Sequence, residues 1–108
     1  MEIINIDSAE KFDEKVLKND KVVAAFFTAT WCPYCKTQYP RFQDLVAKYP
    51  DVVFCSVDVD KAEGVDDRYN VMTIPSILFF KKGEVISQNM VAYLQPHELE
   101  DYFKSVLA

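Results

Sequence analysis

The sequence predicts an α/β fold, a mixed central sheet of about five strands flanked by about four helices. Three observations predict it. Largely apolar runs recur at Val22–Phe27, Val52–Val57 and Ser76–Phe80, as strands buried on both faces require. Helical periodicities fill the segments between them. Lys82-Gly83 is a hairpin-turn signal, so the last two strands pair antiparallel, whereas the strand–helix–strand units before them pair parallel.

Each element has a local reason. Residues 2–5 read as a short strand. Asp7 and Glu10 have the spacing of an N-cap and its returning partner, and open a helix carrying Phe12, Val16 and Leu17 inward. Asn19-Asp20 ends it, and the Val22–Phe27 strand follows. From Pro33 to about Tyr49 the pattern is helical, with Phe42, Leu45, Val46 and Tyr49 on one face. Pro40 lies inside this helix and should kink it by removing a hydrogen bond to the Lys36 carbonyl. Pro50-Asp51 stops it before the Val52–Val57 strand, which ends at Asp58 and Asp60. A short helix is expected from about Ala62 to Tyr69. The Ser76–Phe80 strand turns at Lys82-Gly83 into Glu84–Met90. Pro96 suits the first turn of a last helix, which directs Leu99, Phe103, Val106 and Leu107 inward.

Composition narrows the function. The 108 residues 1–108 are expected to form one domain. Half are apolar and only two are glycine, so a packed core is expected rather than disorder. The net charge is −5 with scattered lysines, which argues against a nucleic-acid or anionic-membrane partner. Met1-Glu2-Ile3 leads into Asp7 and Ser8 and does not read as a secretory signal, and no apolar run approaches a bilayer span. The expected compartment is the cytoplasm. There a close cysteine pair is more often catalytic or metal-bound than structural.

That pair is Cys32 and Cys35, in Thr28-Ala-Thr-Trp-Cys-Pro-Tyr-Cys-Lys36. It follows a central strand and opens a helix, and sites in open α/β sheets gather at strand carboxyl ends. The helix's first turn offers unpaired N–H groups and partial positive charge. A Cys32 thiolate would be stabilised there, below the free value of about 8.5. Pro33 suits the first helical position and stiffens the loop. Cys35, one turn on, can attack a mixed disulfide at Cys32, which makes Cys32 the nucleophile and Cys35 the resolving thiol. A tetrahedral zinc site is the competing reading. It needs four ligands, and the remaining candidates, Cys55 and His97, form no second pair. Cys55 reads as a small buried hydrophobe in mid-strand, with a regulatory thiol as the alternative. His97 is placed on the solvent side of the last helix. Asp58 and Asp60 read either as a strand-end turn or as flanking the site.

The chain resembles the thioredoxin family over essentially its whole length. The residues that carry the resemblance are Trp31-Cys32-Pro33-Tyr34-Cys35-Lys36, Pro40, Val57-Asp58-Val59-Asp60, Thr73-Ile74-Pro75-Ser76 and Phe79-Phe80-Lys81-Lys82-Gly83-Glu84. The resemblance implies the thioredoxin fold and dithiol–disulfide exchange with protein substrates. It implies a cis-proline at Pro75 that presents the Ile74 backbone to a substrate strand. It also implies that Trp31 forms part of the substrate surface, with Asp60 accepting from its indole N–H.

Three departures from the family pattern stand out. The usual dipeptide is Gly-Pro, whereas Pro33-Tyr34 is the glutaredoxin one. A better-stabilised Cys32 thiolate should raise the potential above about −270 mV, towards about −200 to −230 mV. The buried acid usual on the central strand is Phe26 here. Water or another group must then deprotonate Cys35, and the absent carboxylate should lower the neighbouring thiol pKa values. The glycine usual before the last helix is Ala92, beside the substrate groove.

The expected function is protein-disulfide reduction by a monomer that binds no cofactor and works through a redox-active Cys32–Cys35 disulfide. Recycling by an NADPH-dependent thioredoxin reductase is expected. One alternative is a glutathione-coupled enzyme of glutaredoxin type. Another is a non-catalytic module sharing an iron–sulfur cluster through Cys32.

Overall fold

The computed structural model describes residues 2–87 and 93–108. Five strands form one sheet: β1 (Ile4–Ile6), β2 (Val23–Thr28), β3 (Val53–Asp58), β4 (Ser76–Lys81) and β5 (Glu84–Val85). Their order across the sheet is β1-β3-β2-β4-β5. β3 runs parallel to both β1 and β2, while β4 is antiparallel to β2 and to β5. The mixed sheet read from the sequence is therefore present, with β2 at its centre.

Four α-helices cover it: α1 (Ala9–Phe12), α2 (Pro33–Gln43), α3 (Val65–Arg68) and α4 (Pro96–Leu107). α1 continues into one π-helical turn at Asp13–Leu17. Val23 to Phe27 of β2 are fully buried, because both faces of the sheet are covered. Period-two alternation divides them. Ala24 and Phe26 join a core with Cys32, Cys35, Phe42, Leu99 and Phe103. Val23, Ala25 and Phe27 join a second core with Phe12, Val16, Val65 and Phe80. The sheet thus separates an α2–α4 layer from a layer formed by α1, its π turn and α3.

Several local expectations need correction. Ser8, not Asp7, caps α1: its backbone is extended and its Oγ accepts from the Lys11 N–H at 3.1 Å. Both residues have acceptors short enough for the role. β1 runs on to Ile6, so Asp7 is spent as the link. α2 stops at Gln43 rather than near Tyr49, and separate turns carry the chain on, keeping Leu45 and Val46 in the core. Pro40 lies inside α2, and its own carbonyl accepts from the Asp44 N–H at 2.9 Å. α3 is shorter than expected, since Gly64, with φ +82°, sets its start. β5 ends at Val85. Ile86 still donates to the Phe79 carbonyl, and residues 88–90 of the expected strand lie outside the described residues. The tight β4–β5 turn requires positive φ at both Lys82 and Gly83, which are at +52° and +82°.

Candidate active site

β2 delivers the chain to the site. Thr28 is its last residue, and the Cys32 N–H donates to the Ala29 carbonyl at 3.2 Å, closing the loop between strand and helix. Cys32 has extended backbone geometry and is itself the N-cap of α2. Its Sγ accepts from the Cys35 N–H at 3.2 Å. A sulfur therefore stands where a cap oxygen commonly does, among the unpaired donors of the first turn. Pro33 takes the first helical position, where the chain needs no donor.

Cys32 and Cys35 form a disulfide, with their Cα atoms 5.3 Å apart. Both are 3% exposed. The side chains next to them in sequence are large and exposed: Trp31 is 66% exposed and Tyr34 62%. Ile74 and Pro75 are joined by a cis peptide bond, and the Ile74 carbonyl oxygen lies 3.8 Å from Cys32 Sγ. The Trp31 indole N–H donates to Asp60 Oδ2 at 2.8 Å. Asp58 shapes that turn by accepting from the Asp60 and Lys61 N–H groups. The structure therefore brings together Trp31, Cys32, Pro33, Tyr34, Cys35, Asp60, Ile74 and Pro75. Ala92 lies outside the described residues.

Beneath the pair sits Phe26, fully buried on β2. Its ring centroid is 5.1 Å from that of Phe42 and 5.8 Å from that of Tyr39. This side of the core holds aromatic surface where a carboxyl would introduce charge. On its other side Cys35 lines an open cleft with Thr28, Thr30, Lys36, Tyr39 and Pro40.

The third cysteine is elsewhere. Cys55 is on β3, on the opposite side of the sheet from the pair, and is 1% exposed. Burial pushes its thiol up to about 12, since the charged form would lose its water. It behaves as a small apolar side chain, and no exposed regulatory thiol is formed there. His97 is exposed on α4. Among the described residues, no group of three or more His, Cys, Asp and Glu side chains is placed to hold a metal. No described helix is long and apolar enough to cross a membrane.

Three site neighbours were not read from the sequence: Gln38, Arg41 and Tyr93. The Arg41 Nη1 donates to the Leu94 carbonyl at 2.7 Å. Gln38 is fully buried. With its amide oriented to satisfy both ends, it donates to the Leu94 carbonyl at 2.9 Å and accepts from the Leu94 N–H at 3.2 Å. The Arg41 guanidinium carbon sits 5.0 Å from the Tyr93 ring centroid, and Tyr93 lies 5.1 Å from Tyr34. A usable signal existed for Gln38: it shares the inward stripe of α2 with Cys35 and Phe42. A polar residue on such a stripe implies a buried hydrogen-bonding partner. Tyr93 carried no comparable signal.

Comparison with known proteins agrees with this geometry. The thioredoxin family model matches residues 3–105. Thioredoxin H3 of Arabidopsis thaliana is 35% identical over 107 residues, covering 90% of this chain and 91% of that one. Thioredoxin of Callithrix jacchus is 42% identical over 84 residues, covering 77% of this chain and 80% of its own. The crystal structure of Malassezia sympodialis thioredoxin superposes with a TM-score of 0.84 at 30% identity, over 99% of this chain and 92% of that one. A sulfur-capped helix at the end of a central strand, a matching family model and a matching fold lead to one conclusion: the chain belongs to the thioredoxin family and is a thiol–disulfide oxidoreductase.

Proposed function

We propose that the chain reduces disulfides in protein substrates and is returned to the dithiol by an NADPH-dependent thioredoxin reductase. One observation carries the reading: Cys32 Sγ is the N-cap of α2, receives the Cys35 N–H, and faces the Ile74 carbonyl. In the reduced protein the same N–H and the helix N-terminus favour a Cys32 thiolate. That thiolate attacks one sulfur of the substrate disulfide. A mixed disulfide forms, and the other substrate sulfur leaves as a thiolate that solvent protonates. Cys35 then loses its proton to water in the Thr28–Thr30–Lys36–Tyr39 cleft and attacks Cys32 Sγ. The Cys32–Cys35 bond forms, the second substrate sulfur is released, and two electrons have passed to the substrate. The Ile74 backbone pairs with the substrate segment as a strand would, and Trp31, fixed by Asp60, borders it. The cycle needs no bound cofactor, because the electrons reside in the sulfur pair. Cysteine usage favours a cytosolic setting.

Pro33-Tyr34 supports a second reading, in which glutathione supplies the electrons. Insulin-disulfide reduction under two supplies separates them: NADPH with a thioredoxin reductase, and NADPH with glutathione and its reductase. Turnover with the first supply alone is expected. Turnover with glutathione alone would replace this reading with the second.

A further inference from the structure

Tyr34 is the unexplained half of the dipeptide. It is 62% exposed on the first turn of α2, next to Cys35. It does not stand alone. Tyr93 packs on it at 5.1 Å with a 58° tilt between the rings. Tyr93 is in turn covered by the Arg41 guanidinium, 5.0 Å from its ring centroid. Arg41 also grips the Leu94 carbonyl, as does Gln38, so α2 holds the segment at 93–94 from its own buried and half-buried face. A guanidinium above an aromatic face is attractive in itself, and hydrogen bonding to Leu94 fixes its position. The outcome is a two-ring surface whose first ring, Tyr34, lies in the same helical turn as Cys35. Its rings stay partly exposed, with Tyr93 at 37%. Ring pairs of this kind add attraction beyond area burial, in tilted or offset arrangements. Few rotamers need freezing when the partner ring arrives.

We propose that Tyr34 and Tyr93 form a specificity surface for the substrate, held in place by Arg41, and that it selects polypeptide disulfides with an aromatic residue flanking the half-cystine. This rests on the reading of the chain as a protein-disulfide reductase. Tyr34 and Tyr93 contact the substrate side chain, and Arg41 acts through Tyr93 as a positioning residue. Trp31 serves separately, since its tether is Asp60.

The test is single-turnover oxidation of the pre-reduced protein by two peptide disulfides, so that no recycling enzyme enters. One is the oxidised dimer of acetyl-Phe-Cys-Gly-amide and the other of acetyl-Gly-Cys-Gly-amide. The Phe peptide is expected to react about tenfold faster at sub-saturating concentration, the size one aromatic pair supplies. The difference should lie in the half-saturating concentration rather than the limiting rate. Tyr93→Ala is expected to bring the ratio close to one. Tyr93→Phe, which keeps the ring, should retain it and shows that the position tolerates change. Arg41→Gln should lower the ratio and Arg41→Lys restore part of it. Equal rates for the two peptides in the unaltered protein, or a ratio that survives Tyr93→Ala, would overturn the inference and leave the reductase reading intact. No reaction with either peptide would sink both.

Discussion

Replacing Cys55 tests whether burial holds that thiol in its neutral form, apart from the Cys32–Cys35 pair. Burial raises the Cys55 thiol from 9.0 to about 12, and its protonated form is the neutral one. As pH rises, the unfolded chain therefore loses this proton first. The contribution to stability is whole below about pH 9 and falls as pH climbs from there towards 12. At pH 10.5, one and a half units above the unfolded value, the loss is about 2 kcal/mol at 1.36 kcal/mol per unit. Cys55→Ala removes the term. Urea unfolding of the reduced proteins, in excess reductant at pH 7.5 and 10.5, measures it. The fall in stability between the two pH values should be about 2 kcal/mol larger in the unaltered protein than in Cys55→Ala. Taking the difference cancels Cys32, Cys35, the lysines and the tyrosines, including Tyr69 and Tyr102, whose burial also raises them. Equal falls would refute the burial argument. A companion measurement is thiol titration: the folded, reduced protein should offer two fast thiols, with the third appearing only in denaturant. Three fast thiols would place Cys55 at the surface.

Three further outcomes are expected. Cys35→Ser should trap substrates as mixed disulfides through Cys32, and Cys32→Ser should trap none; equal trapping, read on non-reducing gels, would reverse the proposed roles. Phe26→Asp should raise the Cys32 pKa, followed by thiolate absorbance, at about 3–5 kcal/mol of stability for losing a buried ring; an unchanged titration in folded protein would discard the electrostatic account of Phe26. Asp60→Ala leaves the indole of Trp31, the chain's one tryptophan, without its acceptor. A loss of up to about 1 kcal/mol in stability is expected, with lower fluorescence anisotropy, and unchanged anisotropy would mean that packing alone holds the ring.

The central strands were legible because burial on two faces leaves a clear mark: nothing polar interrupts Val22–Phe27, whereas the bounds of the more exposed edge strands β1 and β5 were not. Helix ends were not. At the start of α1 two adjacent residues could each serve as cap, and strand β1 decided between them by running on to Ile6. At the end of α2 the apolar periodicity continued past Gln43, since turns can also bury Leu45 and Val46. The cysteine pair was legible in chemistry because spacing and helix position suffice. Its surroundings were legible only where they carry a sequence pattern, as at Trp31 and Pro75. The Arg41–Tyr93–Tyr34 arrangement joins residues more than fifty positions apart in the chain, and no local rule brings them together.

The grip of α2 on Leu94 has a consequence for engineering by transplantation. The helix whose first turn carries the chemistry also anchors, through Gln38 and Arg41, the approach to α4. Pro33-Tyr34 is then not a cassette. Moved alone into a relative that has no counterpart of Tyr93 and Arg41, it would bring the tyrosine without the ring and the guanidinium that pack together with it here. The unit to transplant is larger than the motif: the dipeptide, the helix on through Gln38 and Arg41, and the tyrosine at 93.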